Sequence, residues 1–418
     1  MSDPIAFYHR SGARLTGRPR GLSFTWATLL VAGLILVNLA GGSGAAAAEP
    51  GAAASAPMVT SGASPATGRT GFSKTGSLLH PRVYHTATLL ADGRVLIAGG
   101  STDTATLATA ELYDPATGKF TATGSMLHAR RYHTATRLLN GQVLIVGGIG
   151  QGGNPEKGVL ASAELFDPTT GKFRATGSMA HPYSKHTATL LANGNVLVVG
   201  GYGVLAELYD TATGKFHATG SMTFLRDNFA ATALPDGQVL LAGGWNVFCL
   251  ALDAPIGCVF YSTRGELYSP TTGKFRASGS MVHFRNDPSL TLLGSGRVLA
   301  AGGDGRGSPE LVALASAELY DPMTGTFHAT GSMAHVRNKP QGTALSDGRV
   351  LITGGLNDND SAIAAAEVYN PATGKFSAAG SMPVARSSHT ATLLADGRVL
   401  IAGGLGDVVL GSAEIWQP

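Results

Sequence analysis

Charge is scarce in this chain: 14% of its 418 residues are Asp, Glu, Lys or Arg, and aromatic residues make up 7%. Disordered chains and long helical rods are both rich in charge, so the composition argues against either class. Cysteine is nearly absent. Two residues, Cys249 and Cys258, cannot build a disulfide framework, and their spacing does not match a zinc pattern. A basic face is missing as well. The formal charge of +3 comes from Arg10, Arg14, Arg18 and Arg20, opposed within the first 48 residues only by Asp3. The rest of the chain is neutral and offers no electrostatic footprint for nucleic acid.

Long apolar runs are also lacking, with one exception. Phe24 to Ala40 (FTWATLLVAGLILVNLA) follows the arginines and precedes a stretch of small residues ending in Ala46-Ala47-Ala48. Basic, apolar, then small is the order of a secretory signal with an A-x-A cleavage site. The run is also close to the shortest helix that crosses a bilayer, so an uncleaved anchor stays open. Either way the basic flank stays inside and the remainder is expected outside that membrane: periplasmic, on the cell surface or secreted. Residues 1–48 are read as signal or anchor, 49–64 as a flexible linker and 65–418 as one domain.

What the chain has in excess is glycine, 58 residues. Glycine pairs recur at 99–100, 147–148, 200–201, 243–244, 302–303, 354–355 and 403–404. Around each pair the order is constant, as in residues 85–126: HTATLL, ADGR, VLIAGG, a variable loop, AELYD, PATGK, FTATGSM. The continuously apolar run before the pair fits a strand buried on both faces. Asp-Gly or Asn-Gly marks the preceding hairpin, and Pro and Gly mark the following one. Each unit therefore predicts four short strands, a to d. The last unit stops after strand c at Ala413-Glu414-Ile415-Trp416, and residues 65–78 (PATGRTGFSKTGSL) repeat the missing strand-d theme. The expected fold is all-β: a seven-bladed propeller whose last blade takes its outer strand from the N-terminal segment.

The glycine doublet, the Glu-x-Tyr-Asp-Pro run and the downstream aromatic, at Phe120, Phe173, Phe216, Phe275, Phe327 and Phe376, resemble the kelch motif. The resemblance covers residues 65–418 and implies one blade per repeat. Three columns fall near the face that carries the b–c loops and d–a links. The first is Arg82, Arg130, Arg226, Arg285, Arg337 and Arg386, with Tyr183 in the third repeat. The second is Glu111, Glu164, Glu207, Glu266, Glu318, Glu367 and Glu414, read as structural partners of the arginines. The third opens strand a: His85, His133, His186 and His389 in blades 1, 2, 3 and 7, but Phe229, Pro288 and Pro340 in blades 4, 5 and 6. Those three blades also carry Arg226-Asp227-Asn228, Arg285-Asn286-Asp287 and Arg337-Asn338-Lys339. Broken symmetry of this kind marks a ligand site better than a perfect ring does.

The fourth b–c loop, residues 245–265, is the longest and most aromatic, and a Cys249–Cys258 disulfide is expected to pin it. The candidate ligand-binding rim is therefore Arg226, Asn228, Arg285, Asn286, Asp287, Arg337 and Asn338, with Trp245 and Tyr261 from that loop. Loops in blades 2 and 5 are Gly-rich, but neither has the context of a phosphate loop. No GxSxG elbow or Ser-His-Asp order appears.

The stretch Arg82-Val83-Tyr84-His85-Thr86 is similar to a strand of galactose oxidase and related copper-radical oxidases. That resemblance implies Tyr84 and His85, or Tyr132 and His133, as copper ligands. Two departures stand against it: no strand-a cysteine exists to bond a radical tyrosine, and the family's further histidine comes from a C-terminal domain, whereas this sequence stops at Pro418. The reading reached from the sequence is a non-catalytic exported propeller, monomeric and without cofactor or metal. It is expected to bind a protein, peptide or glycan on the loop face. A galactose-oxidase-like copper oxidase, or another carbohydrate-active propeller enzyme, is the alternative.

Overall fold

A computed structural model describes residues 70–152, 158–201, 203–247, 259–306 and 311–418. The signal or anchor, the linker and the two cysteines with their expected disulfide lie outside these residues. No described helix is long and apolar enough to cross a membrane.

Seven antiparallel sheets form a ring, six of four strands and one, blade 4, of five, each with strands a-b-c-d running from the channel outward. Blade 1 is typical, with strands Thr86–Leu89, Val95–Ala98, Ala110–Asp114 and Lys119–Ala122. The first four residues of strand b are fully buried in every blade because sheets press on both faces, which is why they are apolar without alternation. The core is accordingly divided into packets between neighbouring blades. One joins Leu400, Ala402 and Ile415 of blade 7 to Val95, Ile97 and Tyr113 of blade 1. Tyrosine hydroxyls of strand c bolt several seams: Tyr209 to Thr176 at 2.7 Å, Tyr268 to Thr219 at 2.8 Å and Tyr369 to Thr330 at 2.9 Å.

The ring closes as the sequence predicts. Gly71–Lys74 pairs antiparallel with Ala413–Gln417, setting Phe72 opposite Trp416 and Lys74 opposite Glu414. Thr75, just beyond that strand, bonds the Tyr113 hydroxyl of blade 1 at 2.9 Å. One N-terminal segment thus completes blade 7 and seals it to blade 1, removing an exposed sheet edge.

Blades 4 and 5 depart from the pattern in their b–c loops. Strand b of blade 4 runs on from Val239 to Val247 and pairs with an added strand, Val259–Tyr261. In blade 5 Asp304–Arg306 pairs with Leu311–Ala313 as a separate hairpin.

The glycine doublets are set by contacts across each seam. Gly99 has φ +62°, and a Cβ there would stand 2.5 Å from the Arg130 carbonyl oxygen and 2.7 Å from the His133 ring. Gly403 repeats this against Arg82 and His85 of blade 1. Only glycine tolerates both the backbone angle and the contact.

Candidate functional site

The arginine column is not a rim open to ligands. All six guanidinium groups are buried, with Arg285 and Arg337 at 0% exposure and Arg226 at 2%. Arg130 shows the arrangement: it donates to the Gly147 and Ser162 carbonyls at 2.7 and 3.1 Å and to Glu164 Oε1 at 2.7 Å. Glu164 also accepts the backbone N–H groups of Leu127 and His128, at 2.7 and 3.1 Å. Each pair therefore ties a d–a link to strands b and c of its own blade. In blade 3 Tyr183 replaces the arginine; burial, then Glu207, pushes its phenol up to about 12. The expectation that Arg226, Arg285 and Arg337 grip a ligand is corrected: the three guanidinium groups are buried and their terminal nitrogens donate inside the blade, while Nε of Arg226 and of Arg337 has no partner.

The other proposed rim residues separate. Asn338 donates to Asp304 Oδ2 at 2.8 Å, and buried Asn286 bridges the Asp304 backbone, so both hold the blade 5 loop. Trp245 lies half-buried on the extended strand of blade 4, opposite Asp227 and the backbone of Tyr261. Asn228 and Asp287 instead line a cavity of about 370 Å³ at the mouth of the central channel.

That mouth is built from one residue per blade. Tyr84, Tyr132, Lys185, Asn228, Asp287, Lys339 and Ser388 occupy equivalent positions, each just before the His/Phe/Pro column. All seven are left-handed, with φ between 50° and 57°. Such backbone costs a non-glycine residue about 1–2 kcal/mol, and it persists only where the surroundings over-determine it. Three backbone bonds join seats: Tyr132 N–H donates to the Tyr84 carbonyl at 3.2 Å, Lys185 to Tyr132 at 3.1 Å and Asp287 to Asn228 at 2.9 Å.

The seven seats are chemically unequal. Tyr84 and Tyr132 stack, with centroids 4.1 Å apart and planes inclined by 25°. The Lys185 ammonium stands 5.5 Å from the Tyr132 ring centre. Lys339 Nζ is 3.9 Å from Asp287 Oδ2, with side-chain exposures of 33% and 22%. Burial raises the Asp287 carboxyl, opposed by Lys339 and Lys185. Asp287 in turn raises the Lys339 ammonium, and Tyr84 across the mouth adds to it. The Tyr132 phenol is pushed well above its usual range, by burial first and then by Tyr84.

The imidazoles line the same cavity and also reach into the seams between blades. His85 Nε2 lies 3.1 Å from the Thr390 hydroxyl, His133 3.1 Å from Thr86, His186 2.9 Å from Thr134 and His389 2.9 Å from Thr353. Burial holds His85 and His186 down to about 3 and the other two well below the usual imidazole range, so all four are neutral. Phe229, Pro288 and Pro340 fill the same slot against Gly200, Gly243 and Gly302. The third column is therefore an interblade wedge.

A copper ion would need donors converging on the mouth. Among the described residues, no three His, Cys, Asp or Glu side chains come together as metal ligands. The Nε2 atoms of His85 and His133 bond threonine hydroxyls across seams, while Nδ1 of each ring has no hydrogen-bond partner. Tyr84, His85, Tyr132 and His133 all line the cavity at the mouth.

Lys185, Lys339 and Ser388 were not singled out as site residues by the sequence. The signal was the lack of repetition at one aligned position whose neighbours repeat.

No protein-family model matches this chain, and no curated protein matches it. Among solved structures, it is similar to one described as a novel fungal alcohol oxidase with catalytic diversity among the AA5 family, in complex with copper. The TM-score is 0.64 at 17% identity, over 84% of this chain and 77% of that one. At that identity the likeness shows a shared propeller fold.

Proposed function

We propose that this chain is an exported, kelch-type binding propeller that takes its ligand at the channel mouth, with the arginine column serving only as scaffold. The observation that carries this reading is the ring of seven left-handed seats. The same strained backbone recurs in all seven blades, yet its side chains are Tyr, Tyr, Lys, Asn, Asp, Lys and Ser. A uniform fold bearing non-uniform, half-exposed polar and aromatic groups over a cavity has the character of a recognition site. Stacked phenols, a carboxylate, two ammonium groups, an amide and a hydroxyl suit a glycan or the polar end of a peptide. Export is supported by the basic, apolar, small-residue order of the first 48 residues.

A second reading, a copper-dependent oxidase, is favoured by the shared fold with a copper-containing alcohol oxidase and by two tyrosines beside imidazoles at the mouth. It would draw on the Nδ1 atoms of His85 and His133, which have no hydrogen-bond partner, beside Tyr84 and Tyr132.

Two measurements on the purified propeller separate these readings. Glycan and peptide arrays are expected to return a ligand, and metal analysis after copper incubation is expected to return none held at the mouth. Stoichiometric copper lost in Tyr84→Phe or His133→Ala would transfer the assignment to the oxidase. Arrays without a hit would remove the binding reading.

A further inference from the structure

Six of the seven d–a links are fastened to their own blade by a guanidinium; the link of blade 3 is not. Arg130 bonds the Gly147 carbonyl and Glu164, and the other five arginines repeat both bonds. In blade 3 Tyr183 stands in that place. Its hydroxyl and that of the next residue, Ser184, are buried without a hydrogen-bond partner. Among the described residues, Glu207 is left with the backbone N–H groups of Ala180 and His181, at 2.9 and 3.3 Å, and the half-exposed His181 imidazole at 3.7 Å. The link's own backbone leans on blade 2 instead. Tyr183 N–H donates to the Leu160 carbonyl at 3.3 Å, Gly148 N–H to the Tyr183 carbonyl at 2.7 Å, and Lys185 N–H to the Tyr132 carbonyl at 3.1 Å. A link short of ties to its own blade opens at lower cost than its counterparts.

That link carries Lys185, whose ammonium lies over the Tyr132 ring, 5.5 Å from its centre. Tyr84 stacks on the same ring, and the Arg131 guanidinium carbon is 5.9 Å from its centre, so Tyr132 is covered although it lines the cavity. Tyr84 and Arg131 sit on links fastened by Arg82 and Arg130; of the three covers, Lys185 alone sits on the unfastened one. Resting on the binding reading above, we infer that Lys185 is a self-inhibitory cover: it withdraws from Tyr132 with its link when ligand enters, and an apolar ligand face takes its place on the ring. An ammonium on an aromatic face is held weakly enough to be exchanged, by about two- to thirtyfold in an equilibrium. Asp227 and Asp287 both feel the Lys185 charge, yet its withdrawal strands neither. Asp287 keeps Lys339 at 3.9 Å, and Asp227 keeps the Asn228 N–H at 3.0 Å. Because the cover must open first, apparent affinity falls by the fraction of molecules already open.

Hydrogen exchange of the whole chain, without any ligand, tests the link. Amides of residues 183–186 are expected to exchange at least about tenfold faster than those of residues 130–133, their equivalents in blade 2. Equal rates overturn the inference. Titration with an array hit that Tyr132→Ala abolishes tests the cover. Lys185→Ala is expected to tighten its binding roughly three- to tenfold. Tyr183→Arg, which gives Glu207 its guanidinium, is expected to raise the melting temperature and to weaken binding by roughly the same factor. A merely structural role for Tyr183 would not move stability and affinity in opposite directions. Binding that is weaker or unchanged in Lys185→Ala, or unchanged in a folded Tyr183→Arg, overturns the inference and leaves the binding reading standing on Tyr132. Arrays without such a hit sink the binding reading itself, and so are told apart from a hit that Lys185→Ala fails to tighten. Should Tyr183→Arg fold poorly because arginine does not fit among Leu165, Met179 and Val198, Lys185→Ala and the exchange rates carry the test.

Discussion

Phe72 lies directly opposite Trp416 in the ladder that closes the ring, and the Trp416 indole N–H donates to the Ala379 carbonyl of blade 6 at 3.1 Å. Trp416 is buried at 4% exposure. It therefore joins the N-terminal strand, the C-terminal strand and the neighbouring blade. Trp416→Ala is expected to cost about 3–5 kcal/mol, the range for deleting a large buried aromatic. Deleting residues 65–78 should lower the melting temperature of the whole propeller, since it removes the outer strand and the Thr75–Tyr113 bond together. Melting followed by circular dichroism reads both; an unchanged midpoint in the deletion would refute the closure.

The buried ion pairs predict an asymmetric mutational response. Arg130→Met strands Glu164 in the interior and is expected to cost about 3–5 kcal/mol. Adding Glu164→Leu should recover only part of that, because the Leu127 and His128 N–H groups then lose their acceptor. Urea midpoints for the two variants check the order. An Arg130→Met protein as stable as the parent would mean that the column is not structural.

At the seam, Gly99→Ala combines a left-handed backbone with a Cβ 2.5 Å from the Arg130 oxygen. We expect a loss of at least about 2 kcal/mol, from strain and from displacement of the neighbouring blade. Gly93→Ala is the control: its φ is +86°, but nothing lies near the added carbon, so it should cost less. The two midpoints measured side by side decide whether the contact or the angle dominates.

Acid should weaken the ring through its seams. Burial holds the four wedge imidazoles below the value near 6.5 that they have when unfolded, His85 and His186 at about 3. Between those limits the unfolded chain binds more protons. This stability is present in full above about pH 6.5 and is lost as pH falls toward 3, by on the order of 2–3 kcal/mol for each of His85 and His186 near pH 4. Glu367, whose hydrogen bonds from Ala334 and Arg337 outweigh its burial, acts in the same direction. Glu414, raised by burial, acts against it. His186→Phe copies Phe229 of blade 4 and should flatten the slope of melting temperature against pH. Calorimetric scans from neutral to acid pH show whether it does.

The architecture was legible because its signals are contiguous and repeated. Asp92-Gly93 announces a hairpin, Val95–Ala98 announces a doubly buried strand, and PATGRTGFSK announces the missing partner of Ala413–Trp416. The site was legible only in part. Asn228 and Asp287 were reached through the asymmetry of blades 4 to 6, but Arg226 and Arg285 beside them were assigned to the wrong side of the fold. Adjacent residues in a link point in different directions, and nothing in the letters of Arg285-Asn286-Asp287 tells which side chain turns inward. Left-handed backbone at Tyr, Lys or Asp has no residue-type signature either, because it is imposed by the neighbouring blade's carbonyl. The histidine column was legible: it lines the mouth, as its place at the start of strand a implies, and its Nε2 atoms bond threonines across the seams.

The central claim is that recognition belongs to the channel-mouth seats and not to the loop rim. Equilibrium binding of an array-selected ligand to Tyr132→Ala and to Trp245→Ala tests it most directly, with thermal melts to show that both fold. Loss of binding in Tyr132→Ala with affinity retained in Trp245→Ala is the predicted result. The reverse pattern would contradict the account and return the site to the rim.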